Sequence, residues 1–209
     1  MNLTKKTILA LGLVVAGVSY AQTAQTASTS SQPVGLLGQS YSQFSYGVTD
    51  IHNFSKDQQN LGVAGNIPVL PYLDLGASYG YSWLRGIGHT NTIAGGATAY
   101  TTWSGVKPFV GAAVGYQWDR SFGARDDEGI WGLAAGVEVP VSVITLTPQV
   151  VYGDDFRRSG ESSQHWTYSV EGNYWLSHST ALFASVGYID ENHTSAHAWD
   201  YEIGARFRF

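Results

Sequence analysis

Three features of this sequence lead to ten antiparallel strands closed into a transmembrane β-barrel, with eight strands as the alternative. Glycine supplies 25 of the 209 residues, about 12%, against a usual ~7%; such an excess suits neither helical bundles nor coiled coils. From about residue 37 onward, large apolar residues alternate with small or polar ones, the period of a strand whose two faces meet different surroundings. Charges are scarce, at 13% of residues, and avoid the large-apolar face of every strand.

The N-terminus is read first as an address. Lys5 and Lys6 precede an apolar stretch from Ile8 to Val18, and small residues at Ser19 and Ala21 prepare a cut after Ala21. Residues 1–21 are therefore expected to be a secretory signal peptide, the apolar stretch being too short to span comfortably. Its removal leaves 188 residues and, since it holds two lysines and no acid, takes the net charge from -5 to -7. Residues 22–36 form an expected flexible lead-in, rich in Gln, Thr, Ser and Ala, with no core-forming pattern. No other run of about 20 apolar residues exists, so a polytopic helical membrane protein is excluded.

The barrel is expected over 37–209, with strands near 37–48, 59–67, 73–83, 92–100, 106–118, 129–139, 144–152, 165–175, 181–189 and 199–209. Leu73, Leu75, Ala77, Tyr79, Tyr81 and Trp83 share one face of the third, with Asp74, Gly76, Ser78, Gly80 and Ser82 on the other. The last is the cleanest: Trp199, Tyr201, Ile203, Ala205, Phe207 and Phe209 oppose Asp200, Glu202, Gly204, Arg206 and Arg208. The first has an inconsistent register, because Tyr41 opposes the parity of Phe44, Tyr46 and Val48. The fourth is mostly Thr, Ala and Gly. Strands of this length match the roughly 9–11 residues a tilted strand needs to cross a bilayer.

Connections alternate between long polar loops and short links. Of 25 charged residues after residue 21, 17 border the long loops and eight lie within strands. The eight, Asp74, Lys107, Glu138, Glu171, Asp200, Glu202, Arg206 and Arg208, all oppose the apolar face. A soluble sandwich would scatter charge over every connection, whereas a membrane barrel wears its apolar band outside and its polar face inside. Trp83, Trp118, Trp131, Trp166 and Trp199 stand at the long-loop ends, where an interfacial aromatic girdle belongs. An even strand count puts both termini with the short turns, on the periplasmic side of a bacterial outer membrane. Closure is required, because backbone groups at a sheet edge find no water in hydrocarbon.

The final segment, Glu202-Ile203-Gly204-Ala205-Arg206-Phe207-Arg208-Phe209, places a glycine two residues after a polar one and ends in alternating aromatics. With the repeated alternation, it resembles small outer-membrane β-barrel proteins of the OmpA and OmpX type from Gram-negative bacteria. That resemblance implies a C-terminal signal, carried by Gly204, Phe207 and Phe209, that the barrel assembly machinery recognises; Phe207 and Phe209 also read simply as the last lipid-facing residues. Familiar members have eight strands, and ten-stranded relatives include the omptin proteases, which raises the question of chemistry.

Asp50-Ile51-His52 has the spacing in which a carboxylate orients an imidazole, but it lies in the first loop, not late in the chain. Ser162, Ser163 and His165 are a local cluster of common residues. Asp126, Asp127, Glu128, Asp154, Asp155, Asp190, Glu191 and His193 are turn-forming types without ordered ligand spacing, and His193 with His197 would not share a face on a loop. The expectation is a non-enzymatic envelope protein, either a narrow porin-like channel or a structural barrel, with a lipid-modifying or omptin-like rim enzyme as the alternative. No cofactor or metal is expected. Inward positions such as Gly76, Gly80, Gly111, Gly115, Gly132, Gly136, Ser185, Gly187 and Gly204 are small, which at ten strands should leave space. Against this stand Phe109, Gln117, Gln149, Trp175 and Phe183 and a Glu/Arg/Lys network that could brace and block the barrel. Five inward acids against three bases would bias any passage toward cations, and the lead-in could occupy the periplasmic mouth. Outer-membrane lipids are the expected partners. The absence of a basic surplus argues against nucleic acid, and no pattern fixes an oligomeric state.

Overall fold

A computed structural model describes residues 35–52, 56–121, 124–156, 164–192 and 197–209. The expected signal peptide and the lead-in up to residue 34 lie outside the described residues. Ten strands follow in chain order: β1 Tyr41–Ile51, β2 Gln58–Leu70, β3 Leu73–Leu84, β4 Gly88–Tyr100 and β5 Lys107–Ser121, then β6 Ala124–Val141, β7 Ile144–Asp155, β8 His165–Trp175, β9 Thr180–Glu191 and β10 His197–Arg208. Each pairs antiparallel with its sequence neighbours, and β1 pairs with β10 from Tyr41↔Arg208 to Ile51↔Ala198, so the sheet closes. Closure leaves no ladder edge facing lipid.

Burial inverts what a soluble protein shows. Large apolar residues stay exposed along the outer face, among them Phe44, Leu61, Val114, Leu133, Tyr168 and Ile203, while Arg206, Glu138, Asp74, Gln43 and Asn173 are buried inside. An outward apolar band with an inward polar face is the arrangement of a transmembrane barrel.

Tyr41 settles the register of β1. It is fully buried in the interior, on the face of Gln43 and Thr49, while Phe44 and Tyr46 are exposed on the other face. Its parity conflict in the sequence therefore marks an inward aromatic within a consistent strand.

Several strands run further toward the long loops than apolar alternation indicates. β5 and β6 remain paired as far as Ser121↔Ala124, and β7 and β9 continue to Asp155 and Glu191, while β8 begins at His165 as expected. Asp119, Asp126–Glu128, Asp154, Asp155, Asp190 and Glu191, expected in loops, are thus ladder residues. Beyond the lipid the outer face has no reason to stay apolar, so the alternation stops while hydrogen bonding continues. β4 likewise begins at Gly88 rather than 92. The short links are tight; Ser142, at φ 57° between β6 and β7, and Gly105, at φ 85° between β4 and β5, take left-handed conformations.

Candidate functional site

The interior is the site to examine, because there polar and charged side chains are concentrated away from bulk solvent. Its two walls differ. On β2 to β5 the inward residues of the middle turns of the barrel are Gly62, Ala64, Gly76, Ser78, Gly80, Ala94, Gly96, Gly111, Ala113 and Gly115, all of them partly accessible. On β7 to β10 and β1 the inward residues are bulkier and mostly buried, including Val151, Asn173, Trp175, Phe183, Arg206 and Gln43. Free space in the lumen therefore runs along the β2–β5 wall. Small inward residues do not all contribute to it: a Cβ at Gly204 or Gly136 would collide with the rings of Phe183 and Phe109, respectively. Those glycines accommodate aromatic rings rather than a passage.

Arg206 anchors the bulky wall. Its Nε donates to Gln43 Oε1 at 2.7 Å, and its two terminal nitrogens donate to Glu171 at 2.6 and 2.5 Å, one of them also to Asn173. Asn173 in turn donates to Glu171 Oε1 at 2.8 Å, and the guanidinium lies 4.2 Å from the Phe183 ring centroid. A bidentate pair with its remaining valences satisfied is the condition under which a buried charge is tolerated. This network lies on the β8–β10 and β1 side, while Lys107 and Glu138 pair across β5 and β6.

The short-turn mouth is entered by the chain itself. Gly35, Leu36, Leu37 and Gly38 are buried inside the barrel, so the segment expected to be lead-in as far as residue 36 ends within the lumen. Leu36 and Leu37 donate their N–H groups to Glu138 Oε2, the latter at 2.9 Å, and Gly38 donates to Asp74 Oδ2 at 3.0 Å. Lys107 donates to Leu37 O at 2.6 Å and lies 3.3 Å from Glu138 Oε1; Arg208 donates to Gly35 O and stacks 3.7 Å from the Trp175 ring centroid. Leu36 packs with Tyr41, Trp175 and Ala181, and Leu37 with Phe109 and Tyr100. Gly38, at φ 81°, turns the chain from this plug into β1, a conformation in which a side chain would be strained.

The long-loop mouth is narrowed differently, by the inward apolar cluster Ile51, Leu84, Ile189 and Ala198. Below it lie acids held by hydroxyls: Thr49 donates to Asp200 at 2.6 Å, and Ser121 and Thr90 donate to Asp119 at 2.8 and 3.2 Å. Glu202 is buried on the same face. Between the mouths, several buried polar groups have no protein partner among the described residues: both amide atoms of Asn66 and the hydroxyls of Thr92, Thr98, Thr167 and Ser169. Together with the partly accessible Ser78 and the inward acids, they give the lumen a polar lining, not one suited to hydrocarbon.

The remaining candidates separate. Asp50 and His52 sit at the outer rim, with His52 stacked on His197 at 4.2 Å between centroids, whereas His165 is buried on the inner face opposite Glu191. These residues do not converge on one cleft. Ser162, Ser163 and His193 lie outside the described residues, and among the described residues no three His, Cys, Asp or Glu gather as a metal site. Trp83, Trp118, Trp131, Trp166 and Trp199 all point outward near the long-loop ends. Tyr81, Tyr116, Tyr152 and Tyr188 pack beside them, with Tyr152 between Trp131 and Trp166 at 5.6 and 5.0 Å. Phe207 and Phe209 are exposed at the opposite end.

From sequence the lead-in could occupy the periplasmic mouth, but Leu37 and Gly38 fall at the start of the first expected strand, which begins at Tyr41, and the apolar rim cluster escapes notice. Leu84 and Ile189 each follow an outward aromatic, Trp83 and Tyr188, so extending the alternation by one residue would have found them. Gly35–Gly38 carries no such signal.

A ten-stranded barrel with an outward apolar band and a polar lumen now meets a decisive comparison: residues 10–194 match the family described as Gram-negative porin. The chain belongs to that family. No curated protein matches it. Among solved structures, this porin-family chain is similar to the KdgM porin, at 11% identity over 80% of this chain and 99% of that one, TM-score 0.45. Neisserial surface protein A is similar at 13% identity over 81% and 97%, TM-score 0.45. The β-domain of the Bordetella autotransporter BrkA is similar at 13% over 82% and 99%, TM-score 0.49. The outer membrane is the setting of that family, and an outward apolar band over a polar lumen suits it.

Proposed function

We propose that the chain is a narrow, non-enzymatic, cation-preferring pore of the outer membrane, closed at its periplasmic mouth by residues 35–38. The observation that carries this reading is the accessible small-residue wall of β2–β5, which lies between two narrowed mouths and is accompanied by partnerless buried hydroxyls and amides. A purely structural barrel would gain packing from larger side chains at Ala64, Ser78, Ala94 and Ala113, although a Cβ at Gly96 or Gly115 would strike a backbone oxygen. Inward acids outnumber inward bases. The bases Lys107 and Arg206 are engaged by Glu138 and Glu171, while Asp119, Asp200 and Glu202 occupy the half nearer the long loops. Acid-lined constrictions favour cations.

The test is a planar-bilayer recording of the refolded mature chain and of a variant lacking residues 22–38. The full chain should show brief, small conductance steps and a reversal potential in a KCl gradient that favours K⁺. Truncation should lengthen or enlarge the openings. Silence from both proteins, together with no solute uptake by proteoliposomes, would leave the structural-barrel reading in place.

A further inference from the structure

We propose that the outward face of β4–β6, just beyond the aromatic row, docks the phosphorylated headgroup of an outer-leaflet lipid, with Arg120 and Arg125 as the anion-binding groups. Arg120 pairs in register with Arg125 on β6 and with His89 on β4. Its neighbours Asp119 and Ser121 are buried inward, so Arg120 and its ladder partners project from the outer face. Directly opposed residues stand with Cβ atoms about 4.5–5.5 Å apart, and like charges there are destabilising. Asp127 answers Arg125, at 2.8 Å from Nε and 2.7 Å from a terminal nitrogen. Among the described residues no carboxylate answers Arg120. An anion seated between the two guanidiniums removes the repulsion, and the planar fork of arginine fits phosphate oxygens two at a time.

Height and sector identify the source of that phosphate. Arg120 lies two residues beyond Trp118, about 7 Å along the strand, and Trp118 packs against Tyr116 at 5.1 Å to offer an apolar and aromatic ledge at the interface. With the long loops outward, this is the headgroup level of the outer leaflet. Trp118 shares with Trp131, Trp166 and Trp199 an acid as outward ladder partner, Asp127 beside Asp154, Asp190 and Asp50, but the Asp127 carboxylate is engaged by Arg125. With Asp127 held by Arg125, the Arg120 guanidinium of this sector is left to an anionic headgroup. The inference rests on the barrel's placement in the outer membrane and is independent of whether the lumen conducts.

The test titrates protein purified in non-ionic detergent with diphosphorylated lipid A and with the same lipid stripped of phosphate, bound lipid being counted by native mass spectrometry. The wild type should prefer the phosphorylated form by about tenfold, the scale of a charge-assisted hydrogen bond. Arg120→Gln alone should reduce the preference, and Arg120→Gln with Arg125→Gln should abolish it, while Asp50→Asn on the opposite sector should preserve it. All variants are checked for folding by heat-modifiable gel mobility. A wild type that binds both lipids equally, or a folded double variant that keeps the preference, overturns the proposal. Displacement of the lipid by millimolar inorganic phosphate would also overturn it, because the site would then be one for free anions.

Discussion

At the scale of single residues, Gly204 separates two explanations for the chain's last strand. The resemblance to small outer-membrane barrels makes Gly204, Phe207 and Phe209 an assembly signal, which the exposed positions of both phenylalanines leave open. The structure supplies Gly204 with an independent reason: a Cβ there would strike Phe44 O and the Phe183 ring, both closer than any real Cβ approach. Phe183 in turn lies beneath Arg206, so the glycine lets the bracing network sit against the wall. Gly204→Ala should therefore lower the stability of the refolded barrel by about 1–3 kcal/mol, the usual cost of overpacking, measured by urea unfolding in detergent or lipid. Phe183→Leu added to it should recover part of that loss. A Gly204→Ala barrel as stable as wild type that nevertheless fails to insert in cells would assign the glycine to the signal alone.

At the scale of elements, the plug is held by one carboxylate more than by any other group. Glu138 accepts from the Leu36 and Leu37 amides and faces Lys107, while Leu36 and Leu37 add apolar packing. Glu138→Gln removes the charge from these contacts, each worth about 1.5–3 kcal/mol when one partner is ionised. Amide exchange at Leu36 and Leu37, read by mass spectrometry, should then quicken by roughly ten- to a hundredfold, with the β-ladders unaffected. Unchanged protection would mean that the leucines alone seat the plug. The contrast with the strands shows what a sequence can carry. Ten strands were legible because lipid on one side and polar interior on the other impose period two on β3, β5 and β10, and even the Thr/Ala/Gly-rich β4 was found by its place between turns. Strand ends were not legible at Asp119, Arg125 or Asp190, where no lipid enforces an apolar face. The residues of the plug were not legible either: Gly35 and Leu36 read as the end of the lead-in and Leu37 and Gly38 as the start of the first strand, while their partners Glu138, Lys107 and Asp74 are 36 to 102 residues away in sequence.

At the scale of the whole molecule, orientation of every side chain follows from closing an alternating sheet in hydrocarbon, and tryptophan reports both faces. Trp131 and Trp199 stand on the outer face near the long-loop ends, whereas Trp175 points inward, is 6% exposed and donates its indole N–H to Thr145 Oγ1 at 3.0 Å. Followed around the ladders, each outward tryptophan falls back from the register row of the one before it, as residues at a common height must when strands tilt. The drift is what a girdle at one interface would produce, since indole rings favour the headgroup boundary. Variants that keep a single tryptophan, reconstituted in bilayers of lipids brominated at defined acyl depths, therefore have distinct expected signals. Trp131 and Trp199 should be quenched most by bromines close to the headgroup and progressively less by deeper ones, and Trp175 should be little quenched at any depth. Quenching of Trp175 as strong as that of Trp199 would place the inner face against lipid. The buried Arg206, Glu171 and Glu138 would then be charges in hydrocarbon, an arrangement that the cost of desolvating ions forbids.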